Sequence, residues 1–296
     1  MMKFTAQRNL LVTQHLSLKP DYLIHPTISG NKSRKLKYNL LEAKKLNKTT
    51  LLTFGGAYSN HIAATAAAGK EFGFATIGVI RGKELADKID TNPTLKFAQA
   101  CGMIFKFVSR EVFREKASEE FLMQLHEEFG NFYLLPEGGT NALAVKGCEE
   151  ILTMDDAEFD FICCPVGTGG TISGLINSSL PHQKILGFPA LKGDFLREEI
   201  AKFTSKSNWN LVNDYHFGGY AKINRELISF INEFKANYGI PLDPIYTGKM
   251  MFGIFDLMAK GYFPNESKIL AIHTGGLQGI DGMNLILKQK QLPLIR

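Results

Sequence analysis

A repeated alternation of short apolar runs with longer helical patterns constrains the fold of this chain more than any other feature. Strands are predicted for the apolar runs at residues 49–54, 75–80, 103–108, 132–135, 159–166, 184–189 and 268–272. Helices are predicted for segments that follow them or precede them, at residues 36–46, 60–72, 93–100, 111–129, 142–154, 194–203, 223–237 and 249–260. Such an alternation favours parallel strands joined by right-handed crossovers. The sequence therefore predicts an α/β fold, built as one large unit or as two lobes that share a cleft.

Glycine-rich turns follow four of the predicted strands, at residues 55–60, 136–141, 167–171 and 273–276. Ligands of open α/β sheets gather at the carboxyl ends of the strands, where these turns lie. The sequence GTGGT at residues 167–171 lets the backbone approach a ligand closely, and amides at a helix start bind anions. A phosphate site and a plain tight turn fit this motif equally well. The turn at residues 55–60 offers Ser59 or Asn60 as a helix cap, with carboxylate binding as the alternative.

Lys32, within the sequence GNKSRK at residues 30–35, is a candidate reactive amine. A lysine that bonds covalently to a carbonyl carbon needs a cleft and a lowered pKa, whereas most loop lysines are simply solvated. Tyr246 precedes a predicted helix, where a phenol either donates a proton or caps the core. His61 and His273 have no metal-ligand spacing, and hydrogen-bonded structural histidines are more common than catalytic ones. No single one of these residues decides a function.

Composition and charge exclude several classes of function. The chain carries 34 Lys and Arg against 29 Asp and Glu, scattered without a basic tract, so nucleic-acid binding is not expected. Its four cysteines lack paired spacing, so neither a zinc site nor a disulfide framework is supported, and no other metal is expected. Cys163 and Cys164 should point to opposite faces of a buried strand. No segment resembles a signal peptide or a membrane span, so we expect no membrane contact and a cytoplasmic location.

Taken in order, the motifs resemble those of the pyridoxal 5′-phosphate (PLP) enzymes with the tryptophan synthase β-type fold. The closer resemblance is to the branch of 1-aminocyclopropane-1-carboxylate (ACC) deaminase and D-cysteine desulfhydrase, and it spans about residues 30–279. It rests on GNKSRKL at residues 30–36, GGAYSNH at residues 55–61 and DPIYTGK at residues 243–249. The resemblance implies two open, twisted, mostly parallel sheets with flanking helices and an active site between two lobes.

The resemblance also implies a division into domains and a cofactor site. Residues 1–37 and 140–296 would form the larger, cofactor-binding domain, and residues 38–139 a smaller inserted α/β domain. Lys32 would bind PLP covalently and later move the substrate's Cα proton. The cofactor phosphate would be held by the Lys35 side chain and the backbone amides of Thr168, Gly169, Gly170 and Thr171. Asn60 would bond the phenolic oxygen of PLP.

On the substrate side, the resemblance implies three catalytic residues: Lys32, Ser59 and Tyr246. Ser59 and Tyr246 would assist proton transfer, and Tyr220 would be a further phenol beside the substrate. The substrate carboxylate would be received by the backbone amides of Ser59, Asn60 and His61. A small amino acid is thus the expected substrate, and a homodimer is the expected assembly.

Two positions bear on the reaction within this branch. ACC deaminases have a glutamate facing the cofactor's pyridine nitrogen and an apolar residue in a later motif, whereas this chain has Thr247 and Thr274. A carboxylate strengthens the electron sink more than a hydroxyl does. We therefore predict α,β-elimination on D-cysteine, giving pyruvate, ammonia and sulfide. The alternatives are ACC deaminase, another D-amino-acid lyase or racemase, and a catalytically silent PLP-binding or small-ligand-binding protein.

One segment departs from the resemblance. Related enzymes usually carry a longer N-terminal segment with an Arg-Asp-Asp strand, whereas here 31 residues precede Lys32 and the matching place reads LIHP at residues 23–26. A strand is predicted at residues 22–25 and irregular structure over the rest of the first 30 residues. The difference bears on substrate access and on the dimer contact.

Overall fold

A computed structural model describes residues 7–296 as alternating strands and helices. The strands are β1 (Leu10–Thr13), β2 (Leu16–Lys19), β3 (Thr50–Gly56), β4 (Ala75–Arg81), β5 (Met103–Val108), β6 (Tyr133–Leu135), β7 (Phe161–Val166), β8 (Lys184–Pro189), β9 (Trp209–Leu211) and β10 (Ile269–Ile272). The helices are α1 (Asn31–Lys45), α2 (Asn60–Phe72), α3 (Pro93–Ala100), α4 (Arg110–Arg114), α5 (Glu119–Phe129), α6 (Ala142–Cys148), α7 (Gly170–Ser178), α8 (Phe195–Ala201), α9 (Arg225–Tyr238), α10 (Thr247–Ala259) and α11 (Gly279–Gln289). None of the helices in this described part is long and apolar enough to span a membrane.

The strands form two sheets. The larger sheet has the order β1-β2-β10-β7-β8-β9 and is parallel except for the β1–β2 pair. The smaller sheet has the order β5-β4-β3-β6 and is parallel throughout. The predicted fold class, two mostly parallel sheets with flanking helices, is confirmed. The predicted domain boundaries stay a prediction.

Apolar side chains cover both faces of the larger sheet, which explains why β7 is buried along its whole length. Cys163 belongs to the core under α9 and α10, whereas Cys164 belongs to the core under α7 and α8. The two neighbouring thiols therefore do point to opposite faces, as strand geometry predicts. In the smaller sheet, the alanines of α2 allow this helix to pack closely against α1 and β3.

Several boundaries differ from the sequence prediction. The predicted strand at residues 22–25 is wrong, because Asp21–Leu23 forms a 3-10 turn. The predicted helix at residues 111–129 is two helices, since the Ser118 hydroxyl caps a new start at α5 by accepting from the Phe121 amide. The helix predicted at residues 142–154 ends at Cys148.

Four elements were not predicted: β1, β2, β9 and α11. The first two form a hairpin in the segment that was expected to be irregular. Leu16 and Leu18 of β2 are fully buried because this strand pairs with β10, about 250 residues later in the chain. A pairing over that distance leaves no signal in a local window of sequence.

Candidate active site

A cleft lies where the strands β3, β7 and β10 end and the helices α1, α2, α7 and α10 begin. Eleven residues predicted for the site line this one cleft: Lys32, Lys35, Ser59, Asn60, His61, Thr168, Gly169, Thr171, Tyr220, Tyr246 and Thr274. Residues from motifs more than 200 positions apart are thus brought together. The carboxyl ends of parallel strands are the usual place for a ligand in such folds.

Two of the predicted cofactor-binding residues, Gly170 and Thr247, do not line the cleft. Gly170 is buried at the first position of α7, directly behind the lining residues. The Thr247 hydroxyl is fully buried, donates to Asp243 Oδ1 at 2.6 Å and accepts from the Asp243 amide at 2.9 Å. Its hydrogen-bonding capacity is therefore used within its own turn.

Lys32 lies in the first turn of α1, which is held against the turn after β10. Gly30 has a φ of 61°, and a side chain there would collide with the Thr274 carbonyl oxygen. The Asn31 amide donates to that same oxygen at 3.2 Å. Burial, together with the nearby charge of Lys35, lowers the pKa of Lys32 from 10.5 to about 7. A large share of the Lys32 amine is therefore uncharged and nucleophilic near neutral pH.

Two contacts hold the start of α1 in place. Arg34 forms a buried bidentate ion pair with Asp21, with Nη2 2.7 Å from Oδ1 and Nε 3.1 Å from Oδ2. Asn31 Nδ2 donates to Thr171 Oγ1 at 2.8 Å and so ties α1 to the first turn of α7. Neither Asp21 nor Asn31 was predicted as a site residue. Asn31 stands inside the lysine motif, but Asp21 carries no local signal.

Lys35 forms the second cationic feature of the cleft. Its Nζ donates to Thr140 Oγ1 at 2.9 Å, to the Gly138 carbonyl at 3.1 Å and to Thr168 Oγ1 at 3.4 Å. Within residues 7–296, no carboxylate lies within ion-pair distance of this buried ammonium group. Burial lowers the pKa of Lys35. A buried cation without a counter-ion favours an anionic ligand.

The start of α7 complements this cation. No side chain caps the helix, and Gly169 precedes it with a φ of 83°. The first backbone amides of α7 therefore lack a side-chain acceptor, and a helix start of this kind binds phosphate. Thr140 completes this end of the cleft and was missed, although the glycine-rich turn at residues 136–141 pointed to the region. The arrangement fits a cofactor that carries a phosphate group.

The start of α2 is capped differently. Ser59 Oγ accepts from the amides of His61 at 3.2 Å and of Ile62 at 3.3 Å. The His61 amide therefore already has an acceptor, and the Ser59 hydroxyl keeps its hydrogen for another partner. The positive end of the α2 dipole faces the cleft.

Two phenols close the opposite side of the cleft. The rings of Tyr220 and Tyr246 lie edge to face with centroids 6.2 Å apart. Burial raises the pKa of Tyr246 well above 10, so its hydroxyl stays protonated at neutral pH. Lys249 Nζ holds the loop that carries Tyr220 by donating to the carbonyls of His216 at 2.9 Å and Gly219 at 2.8 Å.

The two histidines near the site are buried and differ in their contacts. His273 Nε2 lies 2.8 Å from the Pro241 carbonyl and Nδ1 accepts from the Gly275 amide, which fixes the turn after β10. His61 Nε2 lies 2.9 Å from Thr53 Oγ1, whereas its Nδ1 has no hydrogen-bond partner in the described part of the chain. Burial and the charges of Lys32 and Lys35 hold the pKa of His61 well below 6.5, so the ring is neutral.

The family follows from comparison with known proteins. The family model described as "Pyridoxal-phosphate dependent enzyme" matches residues 5–275 of the chain. The chain belongs to the pyridoxal-phosphate-dependent enzymes. A Pyrococcus horikoshii protein named as a candidate 1-aminocyclopropane-1-carboxylate deaminase is 33% identical to this enzyme over 286 residues, covering 88% of this chain and 84% of the relative.

Two further relatives place this PLP-dependent enzyme within its family. A mitochondrial bifunctional D-cysteine desulfhydrase/1-aminocyclopropane-1-carboxylate deaminase of Arabidopsis thaliana is 29% identical and covers 90% of this chain and 73% of the relative. A crystal structure of an ACC deaminase homologue matches with a TM-score of 0.77 at 29% identity, covering 90% of this chain and 87% of that chain. The predicted family and its cofactor, PLP bound covalently to a lysine, are confirmed.

The residues of the cleft fit PLP. Lys35 and the uncapped start of α7 supply a cation and free amides for the phosphate, and Lys32 supplies an amine with a lowered pKa for the aldehyde carbon. Both lysines lie on the first turns of α1, so they are fixed relative to each other. When bound, PLP supplies an electron sink for a negative charge developing on the substrate's Cα.

Proposed function

We propose that this PLP-dependent enzyme removes sulfide from D-cysteine by α,β-elimination. The Cα–H and Cβ–S bonds break, hydrosulfide leaves, and the remaining dehydroamino acid reacts with water to give pyruvate and ammonia. The observation that carries this proposal is the absence of acidic side chains from the cleft: no Asp or Glu of residues 7–296 lines it. The positions that resemble the deaminase glutamate and the later apolar residue carry Thr247 and Thr274.

The electrostatics of the site support a good leaving group over a poor one. Without a lining carboxylate, the ring nitrogen of PLP is stabilised less in its protonated form, and electron withdrawal from Cα is weaker. Asp243 lies nearby, but its oxygens already accept from the amides of Ile245, Tyr246 and Thr247 and from the Thr247 hydroxyl. Elimination of a thiolate needs less electron withdrawal than opening a cyclopropane ring does.

Each catalytic residue has a role that its surroundings support. We assign Cα proton removal to the Lys32 amine, because a pKa of about 7 leaves much of it unprotonated. Tyr246 stays protonated and is suited to donate a proton to the departing sulfur. The Ser59 hydroxyl, which accepts from two amides, retains its hydrogen for the substrate. Of the amides predicted for the substrate carboxylate, that of Ser59 donates to the Gly56 carbonyl and that of His61 to Ser59 Oγ, so we assign the carboxylate to the Asn60 amide and the positive end of the α2 dipole.

ACC deaminase is the second candidate, and the names of the relatives support it equally. The P. horikoshii relative is named for ACC deamination alone, whereas the A. thaliana relative is named for both reactions. The two activities differ in their products: D-cysteine yields sulfide and pyruvate, and ACC yields 2-oxobutanoate.

A product assay on the PLP-loaded enzyme separates these candidates. We expect sulfide and pyruvate in equal amounts from D-cysteine and no 2-oxobutanoate from ACC. Lys32→Ala should abolish both the visible absorption of bound PLP and the release of sulfide. Lys37→Ala, on the same helix, is the matched control and should retain both. Release of 2-oxobutanoate without sulfide would assign the enzyme to ACC instead.

The remaining alternatives appear as distinct outcomes of the same assay. A racemase would change the chirality of a D-amino acid without releasing pyruvate, and a silent binding protein would bind PLP and turn over no amino acid. The homodimer implied by the resemblance is a separate proposal. Light scattering of the PLP-loaded protein should give twice the chain mass of 32.9 kDa.

A further inference from the structure

A hydrogen-bonded chain of three side chains crosses between the two sheets beside the cleft. Gln278, in the turn after β10, donates from Nε2 to Asn60 Oδ1 at 2.6 Å. Thr94, in the first turn of α3, donates from Oγ1 to Gln278 Oε1 at 3.0 Å. Asn60 and Thr94 belong to helices that pack on the smaller sheet, whereas Gln278 follows a strand of the larger one. Thr94 is fully buried.

This chain determines which end of the Asn60 carboxamide faces the cleft. The Oδ1 end is occupied by Gln278, so the Nδ2 end points away from it, towards Gly276. A Cβ atom built on Gly276 would lie 2.7 Å from Asn60 Nδ2 and 3.3 Å from Asp243 Cγ. The Gln278 hydrogen bond therefore selects this orientation of the carboxamide.

The orientation matters because the two ends of a carboxamide have opposite hydrogen-bonding character. Asn60 lines the cleft, and in the proposed site it bonds the phenolic oxygen of PLP. That oxygen is an acceptor, so only the Nδ2 end of Asn60 can bond it, and the Oδ1 end would repel it. An Asn side chain without a fixed partner can turn over and lose this preference.

We propose that Gln278, aligned by Thr94, is a positioning residue that directs the Asn60 N–H group towards the phenolic oxygen of PLP. The inference rests on the proposed cofactor site but not on the identity of the substrate. Because the three residues come from both sheets, the donor is correctly oriented only when α3 and the turn after β10 are in contact. Cofactor affinity thus depends on the approach of the two sheets at this point.

The sharpest test reverses the hydrogen bond without changing the shape of the side chain. In Gln278→Glu a carboxylate oxygen faces Asn60 in place of the Nε2 donor. Asn60 is then expected to turn its Nδ2 end to Glu and its Oδ1 end to the cofactor. We expect the apparent Kd for PLP, measured by titrating the cofactor-free protein and following visible absorption, to rise by about tenfold or more. Gln289→Glu, an exposed site on α11, is the control for the added charge and should bind PLP as the unmodified protein does.

A double-mutant cycle shows whether Gln278 acts through Asn60. In an Asn60→Ala background, Gln278→Glu should change the Kd for PLP less than twofold. Thr94→Val, which keeps shape and removes the hydroxyl, should raise the Kd by a few-fold in the unmodified background and leave it unchanged in Asn60→Ala. Thermal unfolding of each cofactor-free variant reports any loss of folding, and Thr94→Val serves if Gln278→Glu is unstable.

The outcomes are distinct. A Kd unchanged in both Gln278→Glu and Thr94→Val would overturn the inference, as would an increase that persists in Asn60→Ala. PLP binding that depends on Gln278, combined with no turnover of D-cysteine, would retain the inference and overturn the proposed substrate. A protein that binds no PLP at Lys32 would overturn both.

Discussion

The two ends of the cleft are built on different principles. At the phosphate end, formed by Lys35, Thr140, Thr168 and the start of α7, the buried Lys35 ammonium group bonds both threonine hydroxyls, and the backbone amides are fixed by a helix. At the substrate end, formed by Ser59, Tyr220 and Tyr246, one phenol sits on a loop and is 40% exposed. The fixed phosphate end suits a cofactor that stays bound between turnovers, and the adjustable end suits a substrate that enters and leaves.

Backbone strain is concentrated at the substrate end. Phe217 and Ala221, on either side of Tyr220, have φ angles of 53° and 56°, and Gly218 and Gly219 between them also have positive φ. A non-glycine residue in this conformation costs about 1–2 kcal/mol, so the loop is held by other contacts. Lys249 bonds the carbonyls of His216 and Gly219, and the His216 ring accepts from the Gly218 amide. Variants at the phosphate end should therefore change the Kd for PLP, whereas variants at the substrate end should change kcat or KM for D-cysteine.

The largest effect is expected from Tyr246→Phe at the substrate end. Loss of the protonated phenol removes the proposed proton donor, and we predict that kcat for sulfide release falls by about 100-fold or more. The Kd for PLP should stay within twofold, because the phosphate end is untouched. Steady-state kinetics with D-cysteine and a PLP titration measure the two quantities. Tyr262→Phe, at an exposed tyrosine, is the control. An equal loss of PLP affinity would remove the distinction between the two ends.

Lys35→Met should instead weaken PLP binding and leave the kinetics with D-cysteine nearly unchanged. The variant removes the charged donor from the phosphate site, and we predict a rise of about 30- to 100-fold in the Kd for PLP, typical of a lost charge-assisted hydrogen bond. At saturating PLP, the KM for D-cysteine should change little. The matched control is Lys37→Met, two residues along α1, where the ammonium group pairs with Glu150 outside the cleft. A Kd within threefold of the unmodified enzyme would contradict the assignment of Lys35 to the phosphate.

Lys249→Met tests the loop at the substrate end. The carbonyls of His216 and Gly219 would lose the ammonium donor of Lys249, so the strained backbone around Tyr220 should relax. We predict that KM for D-cysteine rises by about tenfold while the Kd for PLP stays constant. A change in PLP affinity without a change in KM would show that Lys249 acts at the other end.

The last prediction concerns the pH dependence of the stability of the cofactor-free protein. In the unfolded chain Lys32 titrates near 10.5, and in the folded chain its pKa is about 7. The unfolded state therefore binds more protons between these values, so the free energy of unfolding should rise with pH from about 7 to about 10. The Lys32 contribution cannot exceed about 1.4 kcal/mol per pH unit. Denaturant unfolding of Lys32→Met at several pH values should give a shallower rise, and an unchanged slope would show that Lys32 is solvated.

The sequence was sufficient where local residues determine the structure. The bounds of α2 were predicted correctly because a serine cap precedes it, an alanine-rich face defines it and Gly73 ends it. The lining of the cleft by Lys32, Lys35 and Tyr246 was expected because each stands within a motif that carries the resemblance to the PLP enzymes. Such signals depend on neighbours within a few positions.

The sequence was insufficient where the partner lies far away in the chain. Asp21 is opposite Arg34 only because the chain turns back before α1, and the segment around it was predicted as a strand. Gln278 meets Thr94 across 184 positions, and Asn60 across 218 positions. The burial of Thr247 was also unforeseen, since its hydroxyl bonds to Asp243 within a turn whose geometry the motif does not reveal.

The most direct test is the visible spectrum of the purified enzyme before and after D-cysteine is added, with sulfide and pyruvate measured in the same sample. We predict a visible absorption band of PLP that is absent from Lys32→Ala, a change in that band on addition of D-cysteine, and release of sulfide and pyruvate in equal amounts. A protein without a PLP band, or one that leaves D-cysteine unchanged and releases 2-oxobutanoate from ACC, would contradict the proposed reaction.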